Sequence, residues 1–114
     1  MDILPSKIDI NLMCLGGKKM YSQVIVSYDI EDNKNRKKLF EELKDIGLKS
    51  IQKSVFWGYV LISEKRVIKE LFKKYCDKKI DKAFMINATL DKDLDNCFGY
   101  EEDDFNHPES FEII

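Results

Sequence analysis

Between Val24 and Ile30 the chain runs Val-Ile-Val-Ser-Tyr-Asp-Ile, four β-branched residues and an aromatic within seven positions. Such a run fits a pleated, largely buried strand. It nevertheless carries a carboxylate, Asp29, directly behind the aromatic Tyr28 at its C-terminal end. Burying an unpaired carboxylate costs several kcal/mol, so packing gives no reason for it. Asp29 must therefore either reach solvent at the strand's end or face a cation.

The segments that follow narrow the fold. Glu31-Asp32-Asn33 offers a helix cap, and Leu39, Phe40, Leu43 and Ile46 then share one face of a helix predicted from about Asn35 to Ile46. Gly47 is placed to stop it. Lys49 to Phe56 alternates in part, Gly58 interrupts, and Tyr59-Val60-Leu61-Ile62 reads as a second buried strand, so the two are expected to pair as a hairpin. Ser63 is the expected cap of a second helix with Val67, Ile68, Leu71, Phe72, Tyr75 and Cys76 on its apolar face. Lys82 to Ala88 supplies a fourth strand. The order β-α-β-β-α-β is that of an α+β, ferredoxin-like sandwich: an antiparallel sheet with both helices on one face. The other face then needs cover, and the expected cover is the sheet of a second copy, making a homodimer.

At 114 residues there is room for one core. No apolar run approaches the ~20 residues of a membrane-spanning helix. Three widely spaced cysteines, Cys14, Cys76 and Cys97, make neither a metal knuckle nor a disulfide framework. The expectation is a cytoplasmic protein with reduced thiols. Net charge is -2, but its distribution is uneven. Asn33 to Lys82 holds fifteen bases against seven acids, whereas from Asp91 onward nine acids face only Lys92. The middle is a basic body suited to phosphate backbones, and the end is an acidic tail able to shield it or to meet a basic partner. Lysine-rich helices are also simply soluble, which is the commoner case.

Residues 1–19 read as a detached extension. They lack a clear period and end on Gly16-Gly17-Lys18-Lys19, just ahead of Met20, which is positioned as an initiator. The expectation is that the native chain starts at Met20, with the ferredoxin-like domain at 20–90 and the acidic tail at 91–114.

Val26-Ser27-Tyr28-Asp29-Ile30, then Arg36-Lys37-Lys38 opening a helix, Gly47-Leu48, and Gln52-Lys53-Ser54-Val55-Phe56-Trp57-Gly58 together closely resemble the CRISPR-associated Cas2 family, the small dimeric partner of the CRISPR spacer integrase. The resemblance covers roughly Met20 to Ala88. It implies that Asp29 meets its symmetry mate across the dimer and that the pair holds a divalent metal, usually magnesium, for attack on a phosphodiester. Two carboxylates brought together repel unless a hard cation or a shared proton lies between them. The resemblance also makes Tyr28, Arg36 and Phe56 residues of the catalytic site. Arg36, Lys37, Lys38, Lys49 and Lys53 are then contacts to nucleic acid. The family is ambivalent between metal-dependent endonucleases acting on RNA or double-stranded DNA and a scaffold that cradles double-stranded DNA for the integrase. The scaffold reading is preferred here, with cleavage as a capacity. Three departures stand out: Lys38 where many members have arginine, Lys49-Ser50 where some nuclease-active members have one, and Trp57 where an acid is common. Lysine keeps the charge and loses the bidentate fork.

Other signals carry less. Asp91, Asp93, Asp95 and Glu102 fall at positions 1, 3, 5 and 12 of a calcium-binding EF-hand loop, but no helix pair is expected around them, so an acidic loop is the better reading. His107 lies beside Pro108 without a nucleophile or ligand set. Ser110 to Ile114 suits a short final strand, added to the partner's sheet or to the integrase, or a frayed end. Rival functions for the same fold are an RNA-binding module stacking bases on Phe56, Trp57 or Tyr59, a toxin-type ribonuclease of the virulence-associated D kind, and a regulatory dimer without nucleic acid.

Overall fold

The computed structural model describes residues 20–90 and 94–105. The elements are β1 (Ser22–Asp29), α1 (Asn33–Ile46), β2 (Lys49–Gln52), β3 (Val55–Val60), α2 (Ile62–Tyr75), β4 (Lys82–Asn87) and a 3-10 turn, Glu102–Phe105. The strands form one sheet in the order β2-β3-β1-β4 with antiparallel neighbours. This is the expected ferredoxin-like α+β plan. Its core gathers Val24, Val26 and Tyr28 of β1, Phe56 and Val60 of β3, Leu39 and Leu43 of α1, and Ile68, Leu71 and Tyr75 of α2. The helices are also joined by a hydrogen bond from the Tyr75 hydroxyl to Glu42, 2.9 Å.

Local chemistry explains the helix ends. Asp32 caps α1 by accepting from the Asn35 N–H at 2.8 Å, so the helix begins at Asn33, two residues before the expected start. Gly47 terminates it in the left-handed region at φ 114°, with its N–H on the Lys44 carbonyl and that of Leu48 on the Leu43 carbonyl. No heavy atom would crowd a Cβ there, so Gly47→Ala tests backbone strain alone. It is expected to cost about 1–2 kcal/mol, read as a fall of several degrees in the thermal midpoint; an unchanged midpoint would contradict the left-handed assignment.

Three sequence expectations are corrected. The hairpin turns at Lys53-Ser54, with Ser54 at φ 63°, and not at Gly58, which lies inside β3 opposite Val24. Gly58 is there for space: an added Cβ would stand 2.7 Å from a terminal carbon of Leu48 and 3.3 Å from its Cα. The second helix starts at Ile62, and Leu61, not Ser63, is its N-cap. Its first turn is satisfied by Glu64, whose carboxylate accepts from the Leu61 N–H at 2.8 Å. Val67, expected on the apolar face, is 47% exposed, because the buried stripe runs through Ile68, Leu71 and Tyr75. The expectations for residues 1–19, Asp91, Asp93, His107 and Ser110–Ile114 lie outside the described residues.

Candidate nucleic-acid interface

The end of β1 distributes its side chains to two sides of the sheet, as strand alternation requires. Tyr28 turns toward the helices and is buried. Its ring stacks on Phe56 with centroids 6.2 Å apart, and Phe40 of α1 meets Phe56 edge-on at 5.2 Å. Burial pushes the Tyr28 hydroxyl above its usual pKa, partly offset by the positive charge of Arg36. Phe56 is fully buried. It shapes the site from beneath and touches no outside molecule.

Arg36 sits in the first turns of α1 and folds back over the chain that leaves β1. One guanidinium nitrogen donates to the Ile30 carbonyl at 2.8 Å, and the other donates to the Asn33 side-chain carbonyl. From the opposite side the Asp81 carboxylate accepts from the Glu31 N–H at 3.0 Å and from the Asp77 N–H at 2.8 Å. The residues directly after Asp29 are thus held on both sides by charge-assisted bonds. The Tyr28 N–H donates to the Ser54 carbonyl at 3.2 Å, which ties the β2–β3 turn to the same place.

These attachments leave a cleft of about 250 Å³ between α1 and the hairpin turn. Tyr28 and Phe40 line its apolar part; Asn33, Arg36, Lys37 and Lys53 line its polar part. Four residues named from the sequence, Tyr28, Arg36, Lys37 and Lys53, therefore converge, with Phe56 behind them. Lys38 is exposed on α1 outside the cleft.

Asp29 goes the other way. It is exposed, and in register it opposes Lys82 of β4. Cross-strand partners share a face, so Asp29 lies on the side of the sheet that carries Ile25 and Ser27 of β1 and Phe84 and Ile86 of β4. Phe84 and Ile86 are 51% and 50% exposed. Among the described residues no three potential metal ligands come together, so within one chain Asp29 brings a single carboxylate. A hard divalent cation takes six or more oxygens, so a lone Asp29 carboxylate would leave most of them to water, to phosphate or to a second carboxylate.

Of the acidic tail, Tyr100 and the turn at 103–105 lie at the opposite corner of that face. The Tyr100 hydroxyl donates to the Ile51 carbonyl at 2.9 Å, and Phe105 stands edge-on to Trp57 at 5.0 Å. Lys49 donates to the Asp103 carbonyl at 3.4 Å and lies 3.6 Å from the Asp104 carboxylate. Trp57 also donates through its indole nitrogen to Gln23 at 3.0 Å, and the same Gln23 oxygen accepts from the Leu90 N–H at 3.0 Å. Trp57 is left 3% exposed, so it presents no face on which a base could stack. Phe56 and Trp57, two of the three aromatics named for base stacking, are thus closed to it, and Tyr59 is half-buried. The EF-hand reading also loses its frame: β4 precedes the segment and a 3-10 turn, not a helix, follows.

Sequence reasoning missed Asn33, Asp81 and the second role of Phe40. Phe40 carried only a core signal, because helical periodicity does not distinguish a side chain in the core from one at its rim. Asp81 counts in the sequence only as one of the seven acids between Asn33 and Lys82; its bond to Glu31 spans 50 positions and leaves no local trace.

A family model for CRISPR associated protein Cas2 matches residues 20–96. A CRISPR-associated endoribonuclease Cas2 of Francisella tularensis subsp. novicida is 41% identical over 88 residues, covering 76% of this chain and 90% of that protein. One from Desulforudis audaxviator is 33% identical over 72 residues, 63% of this chain and 67% of that protein. The crystal structure of a hypothetical protein from Thermus thermophilus is similar with a TM-score of 0.57 at 26% identity, over 61% of this chain and 84% of that one.

Proposed function

The chain belongs to the CRISPR-associated Cas2 family, and from that membership we propose that it acts as a homodimer in CRISPR spacer acquisition. In this reading the dimer binds double-stranded DNA as a scaffold for the integrase subunit and has a magnesium-dependent capacity to cut RNA or DNA. Its similarity to proteins named endoribonucleases supports the second half.

The observation that carries the reading is the company Asp29 keeps. It shares the sheet face with half-exposed Phe84 and Ile86, the two large apolar side chains that β4 leaves open to water. A second copy covering that apolar surface about a twofold axis brings two Asp29 carboxylates to one interface, since an isologous contact pairs each patch with itself. Magnesium, when bound there, supplies Lewis-acid activation of water and neutralises charge on the phosphate. The two Asp29 carboxylates would hold it. Lys37 and Lys53 attract the phosphate backbone at the rim of the cleft, and Arg36 and Asp81 keep the chain behind Asp29 in place. Lys38 extends the cationic surface along α1, while Lys49 is already engaged by the tail.

Phe84→Glu tests the interface. Sedimentation of the wild type is expected to give a dimer and that of Phe84→Glu a monomer, because like charges are brought into a desolvated contact. Duplex affinity should fall with it, the salt dependence flattening as fewer phosphates are neutralised per complex. A monomeric wild type that still binds duplex DNA tightly would sink the proposal.

A further inference from the structure

One peptide group just beyond Asp29 is gripped at both of its ends. The Ile30 carbonyl and the Glu31 N–H belong to the same planar unit. Its oxygen accepts from the Arg36 guanidinium at 2.8 Å, and its N–H donates to the Asp81 carboxylate at 3.0 Å. A cation on the oxygen and an anion on the hydrogen polarise the amide in the same sense, so each bond strengthens the other. Ile30 itself is only 2% exposed, which fixes the same residue a third time through the core.

Both partners of that peptide are themselves braced. The second terminal nitrogen of Arg36 donates to the Asn33 side-chain carbonyl, and the first also reaches the Glu31 carbonyl at 3.5 Å. A bidentate grip on phosphate draws on those nitrogens, and they already donate inside the chain. Asp81 closes a turn: its carboxylate accepts from the Asp77 N–H at 2.8 Å, and its own N–H donates to the Asp77 carbonyl at 2.8 Å. The next residue, Lys82, is the register partner of Asp29. Two consecutive residues therefore set the end of β1, Lys82 by strand pairing and Asp81 by holding the exit.

Placement matters more at a twofold site than at an ordinary one. Where two copies of one carboxylate face each other across the axis, a displacement of one is repeated in the other. The gap between them then changes by up to twice the shift. Magnesium demands oxygens at about 2.0–2.1 Å in near-ideal geometry, so such a site tolerates little movement of the strand end.

We propose that Asp81 is a positioning residue for Asp29, and that Arg36 works with it through the 30–31 peptide and not as a contact to phosphate. The proposal rests on the reading above for its metal and names the residues that fix the carboxylate's place.

The test uses the full chain with Asp81→Ala, Asp81→Asn, Arg36→Met and the double variant of Asp81→Ala with Arg36→Met. The probe is manganese, a divalent ion that also takes oxygen ligands, with binding followed by calorimetry. Asp81→Ala is expected to bind it about tenfold more weakly, the lower end of what a supporting residue contributes, and the Glu31 amide should exchange its hydrogen faster. Asp81→Asn keeps the shape but turns one acceptor into a donor, so its affinity should fall between the two. Arg36→Met should show the same tenfold loss, and the double variant no further loss, because both act on one peptide; independent roles would multiply to about a hundredfold. The salt slope of duplex binding should be unchanged in Arg36→Met, whereas a lost phosphate contact would lower it by about 0.9. A lower slope in Arg36→Met, losses that multiply in the double variant, or full manganese affinity in Asp81→Ala would overturn the proposal. A wild type that binds no manganese defeats the metal reading instead. The positioning role then stands if Glu31 exchange quickens in both single variants and falls if it does not.

Discussion

Phe56→Ala is expected to remove about 3–5 kcal/mol of stability, the usual cost of deleting a buried ring. Phe56 has no exposed surface and stands where three elements meet: Tyr28 of β1 lies 6.2 Å from its ring centroid and Phe40 of α1 5.2 Å. Neither neighbour can collapse freely into the space. Tyr28 is held in the β1 ladder and by its N–H on Ser54, and Phe40 is fixed on a capped helix. The loss therefore includes both the transfer of apolar surface and an unfilled cavity. Against a total of about 5–15 kcal/mol for a domain, that is a large share of the margin. Denaturant titration would show it as a lower midpoint with an unchanged slope. A change below about 1 kcal/mol would mean that the ring does not sit at the centre of this core. The same substitution should loosen the cleft, since both of its aromatic walls rest on Phe56.

Asp29→Ala should have the opposite profile, large in chemistry and small in stability. Asp29 is exposed at a strand end, so its replacement is expected to change stability by no more than about 0.5 kcal/mol. If a pair of these carboxylates holds magnesium, metal-dependent cleavage of RNA or DNA should fall at least about 100-fold, because even groups that only support a ligand cost up to that much. Duplex affinity should hold or rise slightly, as one negative charge is removed from a protein that binds a polyanion. Measuring cleavage, duplex binding and integrase-dependent spacer insertion on the same protein separates the two roles. Cleavage lost with insertion retained supports a scaffold with a cutting capacity. Insertion lost while dimer and fold persist would overturn the scaffold preference.

Much of this architecture was legible from short-range pattern. The β-branched run at Val24–Ile30, the helical spacing of Leu39 and Leu43 and of Ile68, Leu71 and Tyr75, and the stops at Asp32 and Gly47 each act over a few residues. Their physics is carried by neighbouring side chains. The errors arose where one local signal has two causes. Gly58 read as a chain break because glycine weakens strands, whereas here it admits Leu48 from another element. Phe105 against Trp57 and Asp104 near Lys49 are contacts across roughly fifty positions, which no local pattern announces.

By itself, then, the sequence determined the order of elements, the acid at the end of β1, and the cationic body between Asn33 and Lys82. Those follow from periodicity, capping and composition, which are local. Only the tertiary structure decided which side of the sheet each functional residue serves. Strand parity sends Tyr28 into an aromatic cleft with Lys37 and Lys53, and sends Asp29 to the apolar face with Phe84 and Ile86. Register between strands sets that division. Register is fixed by the whole sheet packing on its helices, because a slip of one residue would expose every core side chain on the strand.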